Sequence, residues 1–462
     1  MFVIPGIVLL LLFVYIRPNE VYEPLRVVTF PMMLAFTGLG LALDVGVGAT
    51  KLRRPPLMVI LGLAFFGWAI LTLAINAPDV LQENLIYLAG PIGLFLATSQ
   101  GITSLRGFRA VTRAFLAVSM LLAAFSIYQG FAPTVCLVDD ANTPAARMGD
   151  VDSVPRPCKT RADCAEGGDP GRDYVCEHQG VMGTTSIGGR VRYRGIFQDP
   201  NELAWALSLS LPFAFVWFEK RRGTGRRVFD LIVVGVVLAA VITANVMTQS
   251  RSGQISLLAT LGVYFIRRFG WRGVAGGAVL AIPILLLGGR TDAAAESSTE
   301  ERLECWAEAF SLWREHPFFG VGTKQFGVHY YLTAHNSALL ALAELGPLGL
   351  LLFTAVVYLA FKIAIKVQRD LAGQPEAKMA QAAAFATLAG LVGMVASALF
   401  LSLAYHMSLW IMIGLAAAIP GIMLRHDPTW EVKWTRRDTI FVVGLDIVLI
   451  AGIAIYLRAK GM

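Results

Sequence analysis

The chain has 462 residues, 56% of them hydrophobic and only 15% charged, where an average soluble domain is about 25% charged. One bilayer crossing takes about 20 mostly apolar residues, so this composition fills about a dozen crossings with short connections between them. That excludes a soluble enzyme, a single-anchor receptor and a disordered chain. The formal charge of +7 does not call for nucleic acid, because Lys and Arg gather on the cytoplasmic side of membrane proteins.

Apolar runs bounded by charges or turn residues begin near Phe2, Val27, Leu57, Gln82, Ala110, Asn201, Phe229, Gly253, Gly273, Ser337, Gln381, Met407 and Thr439. They predict an all-α polytopic membrane protein with about 12–13 transmembrane helices. The run 2–16 has no basic segment before it, and Arg17-Pro18-Asn19-Glu20 is not a small-residue cleavage site, so it reads as a span rather than a signal peptide. Alternate short connections carry Lys51, Arg53 and Arg54; Arg106, Arg109 and Arg113; Lys220, Arg221, Arg222, Arg226 and Arg227; Arg267, Arg268 and Arg272; Lys362, Lys366, Arg369 and Lys378; and Arg425, Lys433, Arg436 and Arg437. The positive-inside rule assigns this set, and with it the N-terminus, to the cytoplasm.

Two long connections then fall outside. The chain divides into N-terminal spans (1–131), a cysteine-containing loop (132–200), central spans (201–288), a second loop (289–335) and C-terminal spans (336–462). Four cysteines, Cys136, Cys158, Cys164 and Cys176, lie in the first loop, in a stretch rich in Asp, Gly and Pro that buries little apolar surface. One or two disulfides in an oxidising compartment would staple it, with three possible pairings. A zinc site is the competing reading, but it has neither a C-x-x-C pair nor a neighbouring His. Cys305 is left over.

Polar groups at the outer ends of the spans carry the chemistry. His335 precedes Asn336 and Ser337 at the start of an apolar run. Asn336 or Ser337 can cap a helix there with His335 merely interfacial, or the imidazole can act as a general base. The run breaks at Gly346-Pro347, so 337–345 reads as a short helix leading into the span, and Glu344 is either paired structurally or part of a site. Arg251 either snorkels or meets an anion. Arg302 lies either on a solvated helix face or at a site. Arg190, Arg192 and Arg194 alternate before Asp199-Pro200-Asn201, and an extended backbone would put all three on one side. Guanidinium is the natural partner of phosphate oxygens, so these elements suggest a phosphate-bearing lipid substrate. Pro317 to Gly322 matches no nucleotide loop and reads as structural. Asp446, inside the last run, reads as locally partnered. No HExxH, GxSxG or metal–carboxylate cluster appears, and no cofactor or metal is expected.

In order, Arg302 and Trp306, Pro317-Phe318-Phe319-Gly320-Val321-Gly322, His335-Asn336 and Glu344-Leu345-Gly346-Pro347-Leu348-Gly349 resemble the signature of the O-antigen ligase and O-antigen polymerase superfamily. Phe197 to Ala204 and Ser250-Arg251-Ser252-Gly253 are similar to two further elements of that pattern. The cysteine-rich segment departs from it. The resemblance implies a GT-C-like, inverting, metal-independent glycosyltransferase of the bacterial inner membrane, with its active face and both long loops periplasmic. Its donor would be an undecaprenyl-diphosphate-linked glycan, and its acceptor lipid A–core for a ligase or a second lipid-linked glycan for a polymerase. Arg251 and Arg302 would bind the diphosphate, and His335 would activate the acceptor hydroxyl or assist the departing diphosphate. Arg190, Arg192, Arg194, Asn201, Asn336 and Glu344 are the expected binding residues around them. A protein O-glycosyltransferase is a further possibility within the superfamily. A small-anion transporter is the alternative of another class, though it should show paired repeats around a midplane site.

Overall fold

A computed structural model describes residues 2–48, 56–138, 156–166, 173–220, 227–288, 293–374, 377–425 and 427–461. The expectations for Lys51, Arg53, Arg54, Arg221, Arg222 and Arg226 lie outside the described residues. The helices are α1 (Val3–Tyr15), α2 (Pro18–Val21), α3 (Phe30–Gly46), α4 (Leu57–Asn76), α5 (Leu81–Gly101) and α6 (Leu105–Phe131). A small insertion follows with β1 (Thr134–Val138), α7 (Arg161–Ala165) and β2 (Tyr174–His178). Then come α8 (Pro200–Lys220), α9 (Arg227–Met247), α10 (Arg251–Phe269), α11 (Trp271–Gly288), α12 (Ala293–Glu315) and α13 (Phe326–His329). The chain closes with α14 (Ser337–Asp370), α15 (Lys378–Ala398), α16 (Met407–Met423) and α17 (Arg436–Ala459).

Each of the thirteen expected spans has a helix. Among the described residues, seven are long and apolar enough to cross a membrane, and α1, α3 and α16 are shorter apolar helices. Several starts lie earlier than hydropathy suggests because capping draws polar residues into the first turn. The Ser104 hydroxyl accepts from the Gly107 N–H at 3.1 Å, so α6 takes in Arg106 and Arg109. The Ser250 hydroxyl accepts from the Gly253 N–H at 3.0 Å, so Arg251 opens α10 instead of sitting in a hairpin. Thr435 and Asp438 form a capping box that starts α17 at Arg436.

The bundle core is apolar and aromatic. The Trp410 ring of α16 lies 4.3 Å from Phe66 and 5.4 Å from Phe65 on α4, and 5.3 Å from Phe95 on α5, centroid to centroid. The buried Asn245 amide of α9 donates to the Ala204 carbonyl at 2.9 Å and the Ser208 hydroxyl at 3.1 Å, tying α9 to α8. Such polar ties hold helices together where lipid removes the hydrophobic drive to associate. Outward faces stay apolar: Val228, Val236, Ile440 and Val448 are all more than 60% exposed, as lipid contact requires. The molecule is an all-α polytopic membrane protein.

The cysteine-containing segment adds a two-stranded antiparallel ribbon, β1 against β2. Sequence left the pairing open, and the structure shows Cys136–Cys164 and Cys158–Cys176. The sulfurs of Cys136, Cys158 and Cys164 are close enough to suggest a metal group, but all three are committed to disulfides. Cys305 is free and buried. Replacing Cys158 and Cys176 together by Ser is expected to cost this segment about 2–5 kcal/mol, measured as faster proteolytic nicking between the strands.

Candidate functional site

The starts of α8, α10, α14 and α16 meet at the end of the bundle that carries the disulfide-bonded segment. The His406 Nε2 lies 3.5 Å from the Ile196 carbonyl, and the Ser337 hydroxyl bridges the Leu401 carbonyl (2.6 Å) and the Leu403 N–H (2.9 Å).

The second loop is built around a break. Gly346 interrupts α14 at φ +70, ψ −173, leaving 337–345 as a short helix before the long span. The Val321 and Gly322 N–H groups donate at 2.9 Å each to the Ala343 and Glu344 carbonyls, and the Trp68 indole donates to the Leu345 carbonyl at 2.8 Å. These bonds satisfy the carbonyls that the break frees. A Cβ at Gly346 would collide with the Phe318 carbonyl oxygen, and one at Gly320 with the Glu344 backbone. The Pro317–Gly322 turn is thus structural, with the Gly320, Val321 and Gly322 amides already used.

Asn336 caps α14. Its Oδ1 accepts from the Ala338 and Leu339 N–H groups at 3.0 and 3.1 Å, and its Nδ2 donates to the Leu399 carbonyl at 3.2 Å. The cap and the imidazole are therefore complementary readings: Asn336 fixes the helix start and presents His335, which is held in the left-handed region at φ +48. That conformation costs a non-glycine residue about 1–3 kcal/mol, and such strain collects at functional sites. Burial, and then the Arg302 guanidinium, hold the His335 imidazole below its ordinary pKa, with Asp199 opposing. Asn336→Ala is expected to cost about 0.5–2 kcal/mol and to release His335 from this geometry, read as a lowered melting temperature.

His406 is a useful contrast. Burial pushes it down to about 4. Its Nδ1 accepts from the Ser408 N–H at 3.2 Å, and its ring packs edge-on against Trp205 at 4.9 Å. It is a helix cap embedded in aromatics.

The three arginines before α8 diverge. Arg190 donates from Nε to the Thr248 carbonyl (2.9 Å) and from Nη2 to the Asn201 Oδ1 (3.0 Å). It thereby joins the start of α8 to the turn that delivers Arg251. Arg192 bonds the Thr185 carbonyl at 3.0 Å, and burial lowers its pKa. Arg194, 8% exposed, donates to the Met182 and Glu20 carbonyls, away from the other two. Val191 and Tyr193 are buried between them, but Arg194 is buried as well, so the three guanidiniums do not share one side as an extended backbone would have it. Arg251 is exposed in the first turn of α10. Glu344 is 2% exposed, with Oε1 accepting from the Phe326 N–H at 3.1 Å. Sequence reasoning gave no role to Asp199, Glu202, Lys324 or Tyr87. Asp199 and Glu202 stand inside the Phe197–Ala204 motif, whereas nothing in the sequence pairs Lys324 with Tyr87.

The fold and this end of it define a class: a polytopic α-helical membrane protein with arginines, a half-buried imidazole and converging helix N-termini at one end. Residues 237–354 match the family described as O-Antigen ligase, a stretch that contains the motifs from Ser250 to Gly349. The match includes Arg251, Arg302, His335, Asn336 and Glu344; Arg190, Arg192, Arg194 and Asn201 lie outside it. No curated protein matches the chain.

Proposed function

We propose that this protein is a glycosyltransferase of the O-antigen ligase type, moving a polysaccharide from undecaprenyl diphosphate onto a lipid A–core acceptor at the periplasmic face of the bacterial inner membrane. The observation that carries this reading is His335, half-buried and held at φ +48 directly before the Asn336 cap, within the matched segment. A diphosphate is already a good leaving group, and guanidiniums preorganised around it stabilise the charge that develops as its bond to the sugar breaks. Arg251 and Arg302 would hold the diphosphate without a metal ion. One displacement then inverts the anomeric carbon. Arg190 would act by holding the Arg251 turn against α8, and Asn336 by presenting His335. The paired disulfides favour an oxidising compartment for this face.

Deleting the gene is expected to leave unligated lipid A–core with accumulated lipid-linked polymer on a gel. Short or single-repeat surface glycan would assign the polymerase reaction instead, and unchanged glycan would overturn both. Arg251→Ala is expected to cut transfer about 10²–10³-fold with membrane insertion intact, measured with purified protein. Thiol labelling that placed residues 251, 302 and 335 in the cytoplasm would also overturn the proposal.

A further inference from the structure

The cysteine-containing insertion lies outside the matched segment, yet a chain of hydrogen bonds runs from it to the turn that carries Arg251. Glu177 of β2 is buried next to Cys176, whose disulfide to Cys158 staples the strand. Its carboxylate takes three donors from one short stretch. Oε1 accepts from the Gly188 N–H at 2.5 Å, and Oε2 accepts from the Gly189 N–H at 3.1 Å and from the Ser186 hydroxyl. Gly188 and Gly189 are both left-handed, at φ +57 and +73, and Ile187 and Arg190 exchange backbone bonds of 3.0 and 3.1 Å across them. This is a two-residue hairpin turn that two glycines permit, and Glu177 anchors it to the insertion.

The outgoing limb of that hairpin leaves the insertion. The Val191 N–H donates to the Met247 carbonyl at 3.2 Å, and the Arg190 Nε donates to the Thr248 carbonyl at 2.9 Å. These carbonyls close α9 directly before Gln249, which sits at φ +50, and before Ser250, the cap that opens α10 at Arg251. A side chain stays in the left-handed region only where its surroundings hold it there. Here the Met247 and Thr248 bonds hold one side of Gln249, and the Ser250 cap holds the other.

We propose that Glu177 is a positioning residue for glycan transfer: by anchoring the Gly188-Gly189 turn it fixes Arg190, and through Arg190 the turn that carries Arg251. This deepens the glycosyltransferase reading above and rests on it. The insertion is then a brace for a diphosphate-binding arginine. Without the carboxylate, the glycine pair regains wide backbone freedom, and Arg190 loses its fixed approach to Thr248. A misplacement of about 1 Å in a group that meets the reacting atoms costs about 10²-fold in rate.

The test uses purified full-length protein, a fluorescent glycan on undecaprenyl diphosphate as donor, and lipid A–core or a second lipid-linked glycan as acceptor. Glu177→Ala is expected to slow transfer about 10–10²-fold. Glu177→Gln keeps one acceptor oxygen and is expected to slow it less. Both are also made in an Arg251→Ala background, which already lacks the positioned group. There each is expected to change the residual transfer by less than about threefold, because two changes on one path do not add. Transfer by both variants within about threefold of the unsubstituted protein would overturn the inference and leave the glycosyltransferase reading standing. Equal fold-losses with and without Arg251 would also overturn it, since they mark a general structural role. If the unsubstituted protein transfers to neither acceptor, the glycosyltransferase reading fails and this inference with it.

Discussion

His335→Ala is expected to lower glycan transfer about 10²–10⁴-fold, the range in which a positioned acid or base contributes, while the protein still inserts and folds. The imidazole precedes α14, and the α14 cap is made by the Asn336 side chain, so removing the ring leaves the helix start intact. Its pH dependence follows from the same surroundings. Burial and the Arg302 cation both disfavour the protonated ring, so the proton binds only at a pH below the ordinary imidazole value of about 6.5. If the neutral ring is the active form, the acid limb of the rate profile lies below that value. Arg302→Ala removes one of the two causes, and in that variant the limb of any residual activity shifts upward. A limb at or above the ordinary value in the unsubstituted protein would remove His335 from the mechanism.

The second large effect concerns folding. Gly346→Ala is expected to destabilise the bundle by about 3 kcal/mol or more, because φ +70 with ψ −173 belongs to a region that is essentially glycine-only. The added Cβ would also meet the Phe318 carbonyl. The break, the Pro317–Gly322 turn and the Trp68 tie satisfy one another's backbone groups, so a shift at Gly346 disturbs all three. Cys305 offers the readout: it is buried and free while the other four cysteines are paired. A thiol-reactive dye should label it at a lower temperature in the variant. Labelling at the unsubstituted protein's temperature would show that the break tolerates a side chain.

The polar network at this end was only half legible beforehand. The Gly346-Pro347 break and the placement of Glu344 before the long span follow from local chemistry, which neighbouring residues carry with them. Where the guanidiniums of Arg190, Arg192 and Arg194 end does not. Arg190 reaches the Thr248 carbonyl and the Asn201 amide oxygen, and Arg194 reaches the Glu20 carbonyl. Those acceptors are remote in sequence or in another element, and a long flexible side chain is set by whichever acceptor the packing supplies.

Hydrophobic run lengths, cap residues and turn-forming glycines were enough to lay out the helices and to mark a polar end, because each acts within a few residues of itself. The disulfide pairing, the approach of Lys324 to the Tyr87 ring and the bond from the Phe326 N–H to Glu344 needed the packed bundle. These contacts join segments tens to hundreds of residues apart, and their energies depend on burial and on charges that come together only when the helices do.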